Sequence, residues 1–320
     1  METMGPRGGA RVVEVGAGRN GQRIDNFLIA TLKGMPRSHI YRLLRTGQVR
    51  VNKGRIKPTY RVREGDQVRL PPAETKAEAQ TRIPLDLVAA LEQAIRFEDE
   101  QLLVIDKPAG LPVHGGTGLR HGLIEALKLL RPGAPDIALA HRLDRYTSGC
   151  LLVAKDRASL PALTALFRDS QVEKRYHLLV KGRWQGGTRT VAAPLRRGRL
   201  RSGERRVEID HEGRESETEF RLLIAYNGAS LLEARLRTGR THQIRVHAAA
   251  VGYPLAGDDK YGDAGFNALM RAAGLRRIFL HAHTLGFRHP RTGRTVRVTC
   301  PLPASLQAVL DHLAASPRRP

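Results

Sequence analysis

Short apolar runs separated by turn residues dominate residues 83–315 of the 320-residue chain. Runs of this kind, rich in Leu, Ile and Val and bounded by Gly, Pro, Asp or Ser, are typical of buried strands. They predict strands at 102–105, 150–154, 172–180, 217–220, 229–236, 279–283 and 296–300. Apolar residues three and four positions apart predict helices at 84–95, 123–130, 158–168 and 304–314, and residues 238–250 predict a turn that runs into a helix. The pattern indicates one large domain that mixes strands with helices.

A second pattern occupies residues 21–70. Apolar residues at helical spacing predict one helix from Ile24 to Lys33 and another that starts at Pro36. A hairpin with a Gly-containing turn follows at 49–56, and a further turn and strand at 61–69. The stretch from 21 to 70 carries 12 Lys and Arg against 3 Asp and Glu, a balance of +9. Two helices and a basic hairpin form a compact module that can lie against a phosphate backbone.

Composition shifts mark the ends of these two units. Residues 1–20 are rich in Gly and Arg without periodicity and predict a flexible lead-in. Residues 71–82 begin with two prolines, continue with Ala, Glu, Lys and Gln, and predict a linker. The predicted order is therefore the lead-in, a module at 21–70, the linker, a large domain at 83–315 and a tail at 316–320.

The overall charge of the chain indicates the class of molecule that it binds. The chain has a formal net charge of +23, which favours binding to polyanions, and nucleic acid above all. It contains no run of 18 or more apolar residues and no signal peptide, so we expect a cytoplasmic protein without a membrane partner. Two cysteines, Cys150 and Cys300, are too few for a disulfide framework or a metal site, and we expect both in the core.

The loop His141–Gly149 is the candidate centre of the large domain. It lies between two strand-like runs and carries one carboxylate, Asp144, flanked by two arginines and a histidine. Nearby cations favour the charged form of a carboxylate, so we expect Asp144 to be ionised at neutral pH. An ionised carboxylate on a loop can act as a nucleophile, as a base or as the anchor of an ion pair. The residues of this loop alone do not choose among these roles.

Other segments could support binding or catalysis. Residues 195–206 contain six arginines and predict an exposed basic hairpin or loop that contacts phosphates. The Pro- and Gly-rich loop at 106–116 holds Lys107 and His114, although such side chains are usually only solvated or hydrogen-bonded. The sequence contains no P-loop, no dinucleotide-binding glycine motif and no spacing suited to a metal. We therefore expect neither a metal nor a cofactor.

Several separate motifs together resemble one family. They are Lys107-Pro108-Ala109-Gly110, His141-Arg142-Leu143-Asp144, Lys174-Arg175-Tyr176, the ten-residue run at 238–247 and Leu280-His281-Ala282. In order and spacing they resemble the RNA pseudouridine synthases, in the branch that modifies large-subunit ribosomal RNA. The N-terminal module resembles the S4 RNA-binding domain. The resemblance extends from about residue 21 to residue 315, and one departure is Tyr146, where an acidic residue is more usual.

The resemblance implies an α+β fold with a mixed, mostly antiparallel sheet, flanking helices and a central cleft, preceded by the small S4-like domain. It also implies that a uridine in RNA is detached at its C1′–N1 bond, rotated and rejoined through C5. Asp144 is then the catalytic carboxylate and Tyr176 the aromatic residue that packs on the base and helps to remove the C5 proton. Arg245 is the buried cation that pairs with Asp144, and Arg142 is the candidate wedge that replaces the flipped base.

The expected partner is large-subunit ribosomal RNA, and we expect a monomer. The expected RNA contacts are cationic or polar side chains at the cleft, on the basic hairpin and in the N-terminal module: Arg142, Arg145, Arg240 and His242, then Arg196 and Arg197, then Arg23, Arg42, Arg45 and Lys53.

Three other functions fit parts of the sequence. The chain could be an S4-bearing RNA-binding or ribosome-assembly factor without turnover, or a synthase that acts on another RNA. A retaining glycosidase would need a second carboxylate as an acid near the first one. Asp258 and Asp259 are the candidates for that second carboxylate.

Overall fold

The computed structural model describes residues 11–32, 35, 37–71, 83–113, 122–199 and 205–315. By its internal contacts the chain divides into two compact units, Met1–Thr81 and Arg82–Pro320. The predicted linker, apart from residue 71, and the predicted tail lie outside the described residues, as do residues 1–10 and His114. The turn of the basic hairpin, residues 200–204, also lies outside them.

The N-terminal unit is a three-stranded antiparallel sheet with two helices. Its elements are β1 (Arg11–Glu14), α1 (Ile24–Thr31), α2 (Arg37–Arg45), β2 (Arg50–Val51) and β3 (Gln67–Leu70), with a 3₁₀ turn at Ala17–Arg19. The strand order is β1-β3-β2. Phe27, Leu28, Ile40 and Leu43 are buried between the helices and the sheet. The helical spacing of these apolar residues in the sequence therefore gives the core of the unit.

The prediction of a flexible lead-in over residues 1–20 is wrong for residues 11–20. Strand β1 pairs along its whole length with β3, from Arg11 opposite Leu70 to Glu14 opposite Gln67. As an edge strand it has few inward side chains, and Val12 is 55% exposed. An edge strand of this kind lacks the apolar alternation by which strands are found in a sequence. The ordered part of the unit therefore begins at least ten residues before the predicted start.

The second unit is built on one large mixed sheet. Among the described residues its helices are α3 (Leu85–Gln93), α4 (Leu123–Leu130), α5 (Ser159–Arg168), α6 (Gln243–Ala250), α7 (Ala264–Ala272) and α8 (Ala304–Ala315). Its strands are β4 (Ile95–Glu98), β5 (Leu102–Lys107), β6 (Ala138–Leu139), β7 (Ser148–Ala154), β8 (Glu173–Lys181), β9 (Arg189–Ala192), β10 (Leu195–Arg199), β11 (Arg205–Ile209), β12 (Glu217–Tyr226), β13 (Ala229–Leu236), β14 (Leu280–Arg288) and β15 (Thr295–Thr299).

The sheet order is β4-β5-β7-β14-β8-β13-β12-β9, with β6 beside β7 and β15 beside β14. Strands β7 and β14 pair in parallel, and the other strand pairs of this sheet are antiparallel. Strands β10 and β11 form a separate antiparallel hairpin. The prediction of an α+β fold with a mixed, mostly antiparallel sheet and flanking helices is therefore confirmed.

Strand β7 is buried on both faces, which explains its unbroken apolar sequence. Leu151 and Val153 contribute to the core beneath α3 and α4. Leu152 points to the opposite core, which contains residues of α5 and β15. Cys150 and Cys300 are both buried in that second core, as predicted. The described part of the chain contains no helix with the length and apolar character needed to cross a membrane.

The parallel contact between β7 and β14 requires a glycine at position 149. Gly149 has a φ of +107°, a conformation that L side chains rarely adopt. A Cβ atom built at this position would overlap the carbonyl oxygen of Ala282 on β14. Gly149 therefore allows β14 to approach the strand that follows the Asp144 loop.

We predict that Gly149→Ala lowers the free energy of unfolding by about 3 kcal/mol or more. The backbone conformation contributes about 1–2 kcal/mol, and the forced separation of the strands contributes at least as much. Gly182→Ala is the matched control, because Gly182 also has a positive φ of +82° but has open space around its Cβ position. Urea unfolding can be followed by the fluorescence of Trp184, the one tryptophan of the chain. Equal losses for the two variants would contradict this prediction.

Candidate active site

The loop between β6 and β7 ends in a tight turn that holds Asp144. The amide of Thr147 donates to the carbonyl of Asp144 at 3.1 Å, so residues 144–147 form a turn with Asp at its first position. Asp is favoured at this position. Leu143, immediately before the turn, is 5% exposed and belongs to the core beneath α3 and α4. The apolar anchor on one side and the turn on the other fix the backbone of Asp144.

Lys107, at the end of β5, connects the Asp144 loop to the loop that follows β5. It is fully buried, and its Nζ donates to the carbonyls of Pro108 at 2.9 Å, Leu111 at 3.1 Å and Arg145 at 3.0 Å. Burial lowers the pKa of Lys107 to about 8, so the ammonium is still protonated at neutral pH. Its three donors match the three carbonyls, and the lysine thus acts as a cross-link between two loops.

The carboxylate of Asp144 faces two nitrogen-bearing side chains across the cleft. Its Oδ2 lies 3.5 Å from Nη1 of Arg245 and 3.6 Å from Nε2 of His242. Both distances exceed those of direct hydrogen bonds, and the Asp144 side chain is 28% exposed. The carboxylate is therefore close to a cation while its oxygens remain accessible to a substrate.

Arg245 is oriented by a different carboxylate. Its Nε and Nη2 each donate to Asp258 at 2.7 Å, a bidentate pair in which the Asp258 side chain is fully buried. The amides of Lys260 and Tyr261 also donate to Asp258, at 2.9 and 3.0 Å. The guanidinium carbon lies 5.0 Å from the centre of the Tyr261 ring. Arg245 therefore forms the expected ion pair with Asp144, at 3.5 Å, and in addition a closer bidentate pair with Asp258 that the sequence did not indicate.

Burial and pairing oppose each other in this ion pair. Burial alone would raise the pKa of Asp258 and lower that of Arg245. The hydrogen bonds and charge of each partner outweigh burial, so the pKa of Asp258 is lowered and that of Arg245 is raised. Both groups are therefore charged at neutral pH.

His242 lies inside the cleft with a defined orientation. Its backbone is left-handed, with a φ of 55°, and it occupies the N-cap position of α6 without a capping hydrogen bond from its side chain. Nδ1 is 2.9 Å from the hydroxyl of Tyr261, which in turn accepts a hydrogen bond from the amide of Val207. Burial lowers the pKa of His242. The imidazole is therefore neutral at pH 7 and presents a polar group, not a charge, to Asp144.

Tyr176 reaches the same cleft from β8. It is 8% exposed, and its neighbours across the sheet are the small residues Ala234 and Ala282. Burial, followed by the charge of Asp144, raises the pKa of Tyr176, so its hydroxyl keeps its proton at neutral pH. Lys174, two residues earlier on the same face of the strand, also borders the cleft. Burial lowers the pKa of Lys174 to about 8.

The cleft is a cavity of about 630 Å³. Asp144, Tyr176 and Arg245, which lie on three separate segments of the chain, all border it, and its apolar wall includes Leu236 and Leu280. The volume falls in the range typical of small-molecule and cofactor sites. No group of three or more His, Cys, Asp or Glu suited to a metal occurs among the described residues.

The candidate RNA-contact residues have different environments. Arg142, Arg196, Arg197, Arg240 and His242 border the cavity, and all of them except His242 are exposed. Arg196 is paired with Asp210 at 3.0 Å and with Glu212 at 2.9 Å. Arg145 lies outside the cavity lining and donates through Nε to the carbonyl of Gly110 at 3.0 Å.

In the N-terminal unit, Arg42, Arg45 and Lys53 are exposed. Arg23 is paired with the buried Asp25 at 2.7 Å, and this pairing lowers the pKa of Asp25 to about 2. Arg23 therefore has a structural partner within its own unit.

Sequence reasoning missed the roles of four residues that shape the site: Lys107 and Lys174 are buried ammonium groups, Asp258 is a partner of Arg245, and the Tyr261 ring lies next to the Arg245 guanidinium. The alternation of β8 could have identified Lys174, since it shares a face with Tyr176. Lys107, Asp258 and Tyr261 act through contacts between segments that are distant in the sequence. Apolar periodicity does not indicate contacts of this kind.

The glycosidase alternative lacks its second acid. Asp258 is ionised and bonded at both oxygens, and Asp259 is exposed. Glu212 is the other carboxylate that borders the cavity among the described residues, but it is 83% exposed and paired with Arg196. A general acid next to Asp144 would need a buried setting that keeps it protonated. Asp259 and Glu212 are exposed, and the buried Asp258 is held ionised by Arg245.

Comparison with known proteins gives consistent results. The family model described as RNA pseudouridylate synthase matches residues 101–250, and the S4 domain model matches residues 22–68. The chain is 50% identical to the ribosomal large subunit pseudouridine synthase C of Haemophilus ducreyi, over 92% of this chain and 93% of that protein. It is 48% identical to the protein of the same name from Escherichia coli K12, over 95% and 96%.

Solved structures agree with this result. The human RNA pseudouridylate synthase domain containing 4 aligns with a TM-score of 0.59 and 27% identity, over 72% of this chain and 96% of that one. The human RNA pseudouridylate synthase domain containing 1 aligns with a TM-score of 0.55 and 27% identity, over 71% and 96%.

We predict that Asp258→Asn lowers the free energy of unfolding at pH 7 by about 3–5 kcal/mol, because it leaves the Arg245 charge buried without its partner. The pKa of Asp258 is held below its ordinary value of 3.8. The stability from this pair is therefore present above pH 3.8 and is lost as the pH falls through the folded-state pKa. The difference between wild type and variant should be constant from about pH 7 to pH 5 and should shrink below pH 3.8.

Glu219→Gln is the matched control, because its pair with Arg237 is partly exposed. It should cost less than about 1 kcal/mol. Both variants can be followed by urea unfolding monitored at Trp184. Equal losses for the two variants, or a loss for Asp258→Asn that does not change with pH, would contradict the assignment.

Proposed function

The chain belongs to the RNA pseudouridylate synthase family, and from that premise we propose that it converts specific uridines of large-subunit ribosomal RNA to pseudouridine. The names of its relatives support this choice of RNA. The match to the S4 domain and the net charge of +23 support an RNA substrate. The observation that carries the proposal is one accessible carboxylate, Asp144, that shares a cavity with Tyr176 and Arg245.

Asp144 supplies the chemistry at the sugar. The C1′–N1 bond of uridine breaks more readily when an anion stands next to the developing positive charge on the sugar. An ionised carboxylate can attack C1′ directly or can remove a proton from the sugar, and both routes need the charged form. Arg245 places a positive charge 3.5 Å from the Asp144 carboxylate, while Asp258 holds Arg245 in place.

The remaining steps need no cofactor, because the reaction is an isomerisation. The uracil detaches at N1 and rotates, its C5 bonds to C1′, the proton of C5 leaves and N1 gains a proton. Bonds, protons and electrons therefore balance within one nucleotide. The cavity holds the detached base so that it does not escape before the second bond forms.

Tyr176 lies at the wall where the rotated base would stand. Its ring offers a flat apolar surface for uracil. Because burial raises its pKa, the hydroxyl enters the reaction protonated, and we assign to it the relay of the C5 proton to an acceptor in the cleft. The alanines opposite Tyr176 on both neighbouring strands leave room beside the ring.

The target uridine must leave its stack to reach the cavity. Arg142 is exposed and borders the cavity, and its long cationic side chain suits the wedge that fills the vacated space. Arg197 and Arg240 are also exposed at the cavity and suit contacts with phosphates. In the N-terminal unit, Arg42, Arg45 and Lys53 provide exposed charge for the same RNA. We place the enzyme in the cytoplasm and expect a monomer.

Asp144→Asn is the test of this proposal. With a transcript of large-subunit ribosomal RNA, we predict that the substitution lowers the rate of pseudouridine formation by at least roughly 10³-fold. The dissociation constant for RNA should stay within about threefold of wild type, because the phosphate contacts are elsewhere. Product is measured by carbodiimide labelling and affinity by filter binding.

Asp259→Asn is the matched control, since this exposed aspartate directly follows Asp258, the partner of Arg245. It should react at close to the wild-type rate. Turnover by Asp144→Asn near the wild-type rate would contradict the role of Asp144. A wild-type protein that binds RNA but forms no product would favour the RNA-binding factor instead.

A further inference from the structure

The turn that holds Asp144 contributes residues to two cavities. Asp144 borders the large one, and Tyr146 borders a second cavity of about 270 Å³. The second cavity is lined in part by the small residues Ala109 and Gly110 and by Arg276 and Arg277. No carboxylate borders it within the described part of the chain. None of these residues has a role in the reaction described above.

The geometry of the turn limits what the second cavity can hold. Asp144 and Tyr146 are the first and third residues of one turn, so their Cα atoms are at most about 7 Å apart. A uridine bound at Asp144 is attached to a phosphate and a neighbouring nucleotide on each side. One of these neighbours can therefore reach Tyr146 without a large change in the path of the RNA.

Tyr146 has the character of a stacking surface. It is 51% exposed in a chain with only 5% aromatic residues, and the Arg145 guanidinium carbon lies 5.2 Å from the centre of its ring. Unpaired RNA bases are commonly bound by stacking on aromatic rings and on guanidinium planes. The exposed Arg276 adds positive charge for the phosphate of the same nucleotide.

The stacking surface is held in place by residues beneath it. Arg277 donates through Nη1 to the carbonyl of Tyr146 at 3.2 Å and through Nη2 to the hydroxyl of Ser148 at 2.9 Å. Lys107 and Gly110 fix Arg145 in the same way, through its carbonyl and its Nε. A surface fixed in advance loses little conformational entropy when it binds.

We propose that this cavity binds the base of a nucleotide next to the target uridine, stacked on Tyr146, and that it contributes to the choice of target. The proposal rests on the function proposed above. Tyr146 acts on binding and does not touch the reacting atoms. Its loss should therefore raise KM and leave kcat within about twofold.

The test uses the full-length chain and a ribosomal RNA stem-loop that contains one uridine modified by the wild-type enzyme. Each nucleotide that flanks the uridine is replaced in turn by an abasic residue. Wild type is compared with Tyr146→Ala, with Tyr146→Phe and with the control Ile224→Ala, an exposed apolar residue on β12 that is 48% exposed. KM and kcat are measured for every pair of enzyme and RNA.

For the intact RNA, Tyr146→Ala should raise KM about 10-fold, within the range expected for one stacked base. Tyr146→Phe, which keeps the ring, and Ile224→Ala should both keep the wild-type KM. For one flanking position, the abasic RNA should raise the KM of wild type by a similar factor. It should not raise the KM of Tyr146→Ala further, because the two changes remove the same contact.

The proposal would be overturned, while the synthase function stands, by an unchanged KM for Tyr146→Ala or by abasic penalties that are the same for wild type and Tyr146→Ala at every position. A fall in kcat without a rise in KM would also overturn it. If wild type forms no product on any ribosomal RNA, the proposed function itself fails, and the subsite fails with it.

Discussion

The buried ion pair between Arg245 and Asp258 is the interaction on which the cleft depends. A guanidinium placed near a catalytic carboxylate could collapse onto it and block it. Here two hydrogen bonds to Asp258 occupy the guanidinium, so Arg245 stands 3.5 Å from Asp144. Asp144 thus has a cation beside it and accessible oxygens at the same time. Desolvation makes a pair of this kind costly unless the remaining lone pairs are satisfied. The amides of Lys260 and Tyr261 satisfy them for Asp258.

The sheet brings these groups together from segments that are far apart in the chain. Strand β8 carries Tyr176, the loop before β7 carries Asp144, and α6 begins one residue after His242 and carries Arg245. The parallel contact of β7 with β14 lies directly behind the Asp144 loop and depends on Gly149. Lys107 then ties this loop to the end of β5. The site is held by long-range contacts on a rigid sheet, which suits a reaction in which a detached base must not move away.

Much of the fold could be predicted from the sequence. Buried strands such as β7 carry unbroken apolar runs, and the predicted helices at 123–130 and 158–168 match α4 and α5 closely. The edge strand β1 was missed because its side chains are mostly exposed, and exposed strands leave no apolar pattern.

The loop motif indicated Asp144 as a candidate. The pair of Arg245 with Asp144 was expected, but its closer pair with Asp258 could not be predicted, because Asp258 lies 13 residues away on a loop. Arg196 was predicted as an RNA contact because its segment is rich in arginine. Its acidic partners, Asp210 and Glu212, follow β11, and the sequence alone does not show that the hairpin brings them next to Arg196.

The most direct test of the account is a pseudouridine map of large-subunit ribosomal RNA from cells. The gene is deleted in its own organism, and the RNA is labelled with carbodiimide and read by primer extension. The strain is then rescued with the wild-type gene or with the Asp144→Asn gene. We expect a defined set of uridines to lose modification on deletion, to regain it with wild type and to remain unmodified with Asp144→Asn. Identical maps in all three strains would contradict the proposed substrate and the role of Asp144 in modifying it.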